Sequence, residues 1–187
     1  MRCRYELIPA LCPPCFAGIV LYVQSAQPAY VWRTQFMSEL ALGAQGFMMH
    51  AAFGALALGA AGLIPCFRAG CRGDPFTRWL FSGLFALAAA AFVVAGAVTL
   101  ARGPTLHIGS VFVAFVALAT AMFVTFRHAA FGALRWFSLA ALLFALAALV
   151  SGSSGLLAAG LAQRLTALGI LGWMSAAGVY FLWSRKS

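Results

Sequence analysis

Six long apolar runs, separated by short stretches in which arginine, glycine, proline and serine collect, fill almost the whole chain. Windows of about 20 residues, the length needed to cross hydrocarbon as a helix, place candidate spans at 7–24, 46–67, 79–101, 107–126, 133–150 and 165–183. Inside hydrocarbon only a helix or a closed barrel satisfies its own backbone, and runs of this length are helices. The expected fold is an all-α, polytopic transmembrane bundle of six membrane-spanning helices, forming one domain over residues 1–187.

Composition agrees with the pattern. Hydrophobic residues make up 64% and charged residues 8%, with a mean hydropathy of +0.98; a soluble domain carries roughly a quarter charged residues. The formal net charge of +9 would suggest nucleic acid if it lay on one soluble face. Here the arginines punctuate apolar runs, and no polar surface is left to track a phosphate backbone, so nucleic acid is not expected as a partner. The N-terminal Met1-Arg2-Cys3-Arg4 followed by apolar residues has the outline of a secretory signal. Pro9, Pro13 and Pro14 interrupt the stretch and no small-x-small exit follows, so it is expected to stay as the first span.

The basic residues then set an orientation. With six spans and a cytoplasmic N-terminus, the inner side collects Arg2, Arg4, Arg68, Arg72, Arg78, Arg127, Arg135, Arg185 and Lys186. The outer side keeps Arg33, Arg102 and Arg164. This bias over short loops predicts both termini in the cytoplasm. Trp79, Trp136 and Trp183 fall at the inner boundary and Trp32 near the outer one, as interfacial aromatic anchors.

Small residues recur at helical spacing on three spans: His50, Gly54, Ala57, Ala61; His107, Ser110, Ala114, Ala117, Ala121; and Gly169, Gly172, Ala176. Steps of three and four keep them on one face, and small faces are where membrane helices approach closely. Both span histidines are therefore expected to point inward. The same stripes suit homo-oligomers or a membrane-protein partner. Two longer outer connections, 25–45 and 151–164, are expected to cover the outer mouth, the second as a flexible Ser-Gly turn followed by a short interfacial helix.

Candidate chemistry gathers at that outer end. Glu39 has Arg33, Arg102 and Arg164 as possible partners, and an isolated charge near the bilayer is costly. One reading is an ion pair clamping the outer loops. A second is that the surplus positive charge receives a lipid phosphate or carboxylate. A third makes Glu39 or His107 an acid/base group of a lipid hydrolase or transferase, although no nucleophile motif accompanies them. His50 and His107 lie at similar depths, where two helices could present axial imidazoles to a b-type haem; no cofactor is predicted as the leading expectation.

All five cysteines, Cys3, Cys12, Cys15, Cys66 and Cys71, fall at the cytoplasmic end in this topology, where thiols stay reduced. Cys12-Pro-Pro-Cys15 has the spacing of a metal or redox pair, and Cys66 and Cys71 could complete four thiolates. The prolines sit inside a span, so packing by small apolar residues is the favoured description. Asp74, among Arg68, Arg72 and Arg78, reads as a loop ion pair, and His128 as a headgroup-facing residue.

Ser38-Glu39-Leu40, followed by Gly43, Gly46, Met49 and Phe53, resembles the signature of a six-helix prokaryotic membrane family, the domain of unknown function 998. Leu106-His107 opening the fourth span, and Gly160-Leu161-Ala162-Gln163-Arg164 before a last span with Trp173, resemble its later motifs. The resemblance implies six transmembrane helices and draws attention to Ser38, Glu39, His107 and Arg164; it implies no activity. Leu100-Ala101-Arg102-Gly103-Pro104 stands where such sequences often carry Phe-Pro-x-Asp, and His50 stands where asparagine is common, which makes this outer mouth more positive. The leading expectation is a binding site for an anionic lipid or lipid-like headgroup, or an accessory-subunit surface, built from Arg33, Ser38, Glu39, His50, Arg102, His107, Gln163 and Arg164.

Overall fold

A computed structural model describes residues 5–71 and 73–184; Cys3 and the basic residues at 2, 4, 72, 185 and 186 lie outside them. Six helices follow in order: α1 Leu7–Ser25, α2 Met48–Gly70, α3 Pro75–Ala97, α4 Pro104–Arg127, α5 Gly132–Ser153 and α6 Ala159–Ser184. All six are long and apolar enough to cross a membrane. A short 3-10 helix, Met37–Leu42, lies in the connection between α1 and α2. The described residues contain no strand.

Each helix packs on its chain neighbours, and α6 returns against α1, so the six form a closed ring with α6 also touching α2 and α4. Short connections force this alternation, as in other antiparallel bundles. The end that holds residues 26–47 is called the upper end below.

Several boundaries move from those the hydropathy windows give. α3 begins at Pro75 because the Asp74 carboxylate caps it, accepting the Thr77 N–H at 3.1 Å, with Pro75 in the first turn where its missing donor costs nothing. α4 likewise starts at Pro104, ahead of His107. At the other end of the sequence, α5 runs on to Ser153 and α6 starts at Ala159. The expected interfacial helix before Arg164 is thus the first turns of α6 itself, and Gly160, Gln163 and Arg164 sit on a rigid element.

The prolines of α1 do not break it; they are absorbed by close neighbours. Pro13 and Pro14 remove two rungs of the helix ladder, and glycine lets other helices press against this segment. A Cβ at Gly178 of α6 would stand 2.5 Å from the Ala10 nitrogen, and one at Gly62 of α2 would stand 2.8 Å from Pro9.

Packing inside the ring differs between its two ends. Toward the lower end Phe67, Phe81, Phe85, Phe131, Trp173 and Phe181 fill the interior, Phe67 lying 4.5 to 6.0 Å from five other rings. The Trp173 indole donates to the Ser138 hydroxyl at 2.7 Å, which satisfies a polar edge that hydrocarbon would otherwise strand. The small-residue face of α4 is buried as its spacing predicts, from His107 through Ala121. On α2 the marked stripe is split, with Ala57 buried and Gly54 half-buried. Met49, Ala52, Phe53, Leu56, Ala60, Leu63 and Phe67 point inward, and His50 and Ala61 are exposed. The inward side of α2 interleaves the rings of Phe53 and Phe67 with Ala52, Gly59, Ala60 and Gly62.

Exposed aromatics carry arginines over their faces: Arg68 lies 5.0 Å from the Trp79 ring and Arg135 4.9 Å from that of Trp136. Such pairs keep a cation at the headgroup level while its stem stays apolar.

Candidate functional site

The upper end is organised by Gly160, Gln163 and Arg164 of α6 and the connection above them. Gly160 permits the connection to lie directly on α6: a Cβ there would meet the Gln35 and Trp32 carbonyls at 2.3 and 2.6 Å. Leu161 N–H donates to the Arg33 carbonyl at 2.9 Å. One position on, Gln163 accepts the Met37 N–H through Oε1 at 2.7 Å, holding the start of the 3-10 helix.

Arg164 is the main tie. Its guanidinium donates to the carbonyls of Trp32 at 2.7 Å, Gly160 at 3.1 Å and Gln35 at 3.3 Å. It also reaches the Gln24 side-chain oxygen at 3.1 Å and the Tyr30 hydroxyl at 2.7 Å, and lies over the Tyr30 and Trp32 rings. Every one of these acceptors is neutral. Burial pushes the Tyr30 phenol up from its usual range, against the opposing pull of Arg164, so no tyrosinate offsets the charge. No Asp or Glu among the described residues forms an ion pair with Arg164.

Glu39 does not meet the arginines. Its carboxylate accepts the Phe36 N–H at 2.8 Å and the Gln35 amide at 3.4 Å, which makes it a local cap of the 3-10 helix. Capping satisfies the carboxylate through a backbone donor three residues away, at less cost in side-chain order than reaching an arginine. Gly43 is needed nearby because the Gln27 side chain, donating to Leu40 and Ala44 carbonyls, occupies the space a Cβ would take. Arg33 and Arg102 are exposed, Arg33 lying over its neighbour Trp32. Glu39 thus pairs with none of the three arginines: Arg164 is held by neutral acceptors, and Arg33 and Arg102 are exposed.

The histidines separate as well. Both serve the end of α3, whose last carbonyls have no helical partner. His50 Nδ1 bonds the Gly96 carbonyl from the exposed side of α2; an asparagine amide there could donate in the same way. His107 Nδ1 lies 2.8 Å from both the Ala95 and Val98 carbonyls, and its ring is buried at 2% exposure. The two imidazoles thus stand on different sides of the bundle wall, and His50 does not line the cavity that His107 lines, so the axial pairing considered for haem has no shared space. Glu39 likewise lines a separate surface depression, so it and His107 do not form an acid/base pair.

Two apolar spaces adjoin these residues. The first is a groove of about 330 Å³ between α1 and α6, walled by Pro13, Pro14, Phe16, Leu21, Leu168 and Gly172, with Gln24 and Arg164 at its upper end. The second is an interior cavity of about 220 Å³, where Ser38, His107 and Gln163 are the polar members of a wall otherwise made of Phe16, Phe53, Phe92, Phe115 and aliphatic side chains. Of the eight residues singled out from the sequence, three share this cavity, Arg164 heads the neighbouring groove, and Arg33, Glu39, His50 and Arg102 belong to neither. Tyr30 and Gln24, which complete the Arg164 cluster, carried no sequence signal beyond their polarity near a span end.

Near the lower end the cysteines do not assemble a ligand set: among the described residues no three Cys, His, Asp or Glu side chains gather as metal ligands would. Cys66 bonds the Gly62 carbonyl within its own helix. Burial, and then the negative charge of Asp74, push the Cys71 thiol up to about 11, the reverse of a thiolate ligand. Asp74 itself meets His128 at 3.4 Å rather than Arg68 or Arg78, and its other oxygen caps α3.

The fold and these contacts define a multi-pass membrane protein with a ring of six helices. The family model described as protein of unknown function (DUF998) matches residues 10–180, and the chain belongs to that family. No curated protein and no solved structure matches the chain.

Proposed function

We propose that this chain is a binding protein for anionic lipids, taking the headgroup phosphate or carboxylate at Arg164 and an acyl chain along the groove between α1 and α6. The observation that carries this reading is a guanidinium whose acceptors are all neutral, placed at the head of an apolar groove. A cation in that position keeps its full charge, and with its Nη donors on protein oxygens it draws a phosphate or carboxylate to the groove mouth by that charge. Gln24 lines the same mouth and supplies a further polar group. Prolines on one wall and Gly172 on the other leave the groove open to the bilayer over its length.

The orientation belongs to the same reading: both termini in the cytoplasm of a prokaryotic plasma membrane, supported by the bias of Lys and Arg in the sequence toward the terminal segments and the loops after the second and fourth spans. Impermeant thiol labelling of single cysteines at positions 39 and 128 tests it, with position 39 reactive from outside and position 128 protected in intact cells. Reversed reactivity would overturn it.

The binding reading is tested by native mass spectrometry of the full chain in mild detergent with phosphatidylglycerol or phosphatidylcholine. Phosphatidylglycerol adducts should exceed phosphatidylcholine adducts, and Gly172→Leu, which fills the groove without touching Arg164, should remove the excess. Equal retention of both lipids, or an excess untouched by Gly172→Leu, would overturn the proposal.

A further inference from the structure

The interior cavity raises a separate question, because its polar groups differ in kind from those of the Arg164 groove. His107 is 2% exposed, and its Nε2 finds no hydrogen-bond partner in the protein. The other ring nitrogen faces two carbonyl oxygens, so it carries a proton. In the neutral ring that leaves Nε2 with a lone pair, fixed in direction by the α3 carbonyls on the far side of the imidazole. A buried acceptor left in this state is costly, and it asks for a donor.

The remaining polar atoms of the cavity define what that donor belongs to. Gln163 has its oxygen fixed by the Met37 N–H, which sets the amide orientation and leaves the NH₂ as the group it can offer. Ser38 adds a hydroxyl to the same wall. Among the described residues no arginine, lysine or carboxylate lines the cavity. An anion would lack a counter-charge there and a cation likewise. A hydroxyl group fits both halves: it donates to His107 Nε2 and accepts from Gln163 or Ser38.

The apolar part of such a molecule has a place to lie. A groove of about 420 Å³ on the outside of α4, α5 and α6 shares Phe36, Ile108, Val111, Phe115 and Gln163 with the wall of the cavity. These shared residues are a lateral portal, since α4 and α6 touch only sparsely while each packs firmly on α5. We infer that the His107 cavity is a second site, which takes the hydroxyl of an uncharged lipid, an aliphatic alcohol or a phenol, entering sideways from the bilayer between α4 and α6. The site is independent of anion binding at Arg164.

The test uses the full chain in lipid nanodiscs with a fifteen-carbon isoprenoid alcohol, a phenol bearing the same chain, the parent hydrocarbon and the alcohol's monophosphate. The histidines carry ¹⁵N. Adding the alcohol or the phenol should shift the unprotonated Nε2 resonance of His107, while the hydrocarbon should leave it in place. Which of the two shifts it at lower concentration distinguishes an aliphatic from a phenolic ligand. Binding of the hydroxyl compounds should weaken about five- to tenfold in His107→Leu, and in Val111→Trp, which narrows the portal and leaves the α3 carbonyls capped. Gly172→Leu, which fills the α1–α6 groove and lies outside the cavity wall, should leave it unchanged, which separates this site from the anionic one. An Nε2 signal indifferent to every compound, a hydrocarbon that binds as tightly as the alcohol, or a monophosphate preferred at His107 would each overturn the inference.

Discussion

Arg164 on α6 donates to the hydroxyl of Tyr30 at 2.7 Å, joining the last helix to the connection that follows the first. The same guanidinium spans Gln24 on α1 and the Trp32 and Gln35 carbonyls. A lysine has three donors around a point charge and cannot reproduce this planar spread. Arg164→Lys should therefore retain a cation yet loosen the upper connection, at a cost of about 1–3 kcal/mol from the acceptors it leaves unmet. Amide hydrogen exchange would register this as faster exchange in residues 30–37, with α5 unaffected. Unchanged protection there would mean that Arg164 is not the tie.

Two glycines of α6 should respond to alanine in opposite directions. At Gly160 the added methyl meets two loop carbonyls at 2.3 and 2.6 Å, and those atoms are backbone that cannot swing away. Gly160→Ala should destabilise by about 1–3 kcal/mol, the usual range for overpacking. At Gly172 nothing stands within 4 Å, so alanine gains helix propensity of about 0.5–1 kcal/mol. Thermal unfolding in detergent compares the two; equal behaviour would contradict the packing described.

Asp74 gives the lower end an acid limit. Its carboxyl is held down to about 2, first by the Thr77 hydrogen bonds of the helix cap and then by His128. A carboxyl whose folded value lies below its ordinary 3.8 contributes stability above the ordinary value and loses it as pH falls from about 4 toward 2. The melting temperature of the native chain should fall across that window more steeply than that of Asp74→Asn, which accepts the cap bond without titrating. Parallel slopes would show that the cap is not ionic.

Hydropathy windows were enough to locate all six helices, because each run satisfies both the length and the backbone demands of hydrocarbon. The motif residues Ser38, His107, Gln163 and Arg164 also came to one end, as the alternation of short connections requires. What the sequence hid was rotation and partner choice. His50, Gly54, Ala57 and Ala61 form one small-residue stripe on α2, yet Ala57 is buried while His50 and Ala61 are exposed. Glu39 sits among arginines in sequence, but a backbone N–H three residues away is nearer than any guanidinium. Hydrocarbon rewards close packing and satisfied donors more than residue type, so one-dimensional patterns on a membrane helix leave its facing direction open.

The account centres on an anionic lipid lying along α1 and α6 beneath Arg164. A phosphatidylglycerol carrying a photoreactive group midway along its acyl chain, crosslinked to the full chain in nanodiscs and mapped by peptide mass spectrometry, tests this most directly. The adducts are predicted on residues 13–21 and 168–175, and they should disperse in Gly172→Leu. Adducts spread evenly over the exposed faces of α3 and α4 in the unaltered protein would contradict it.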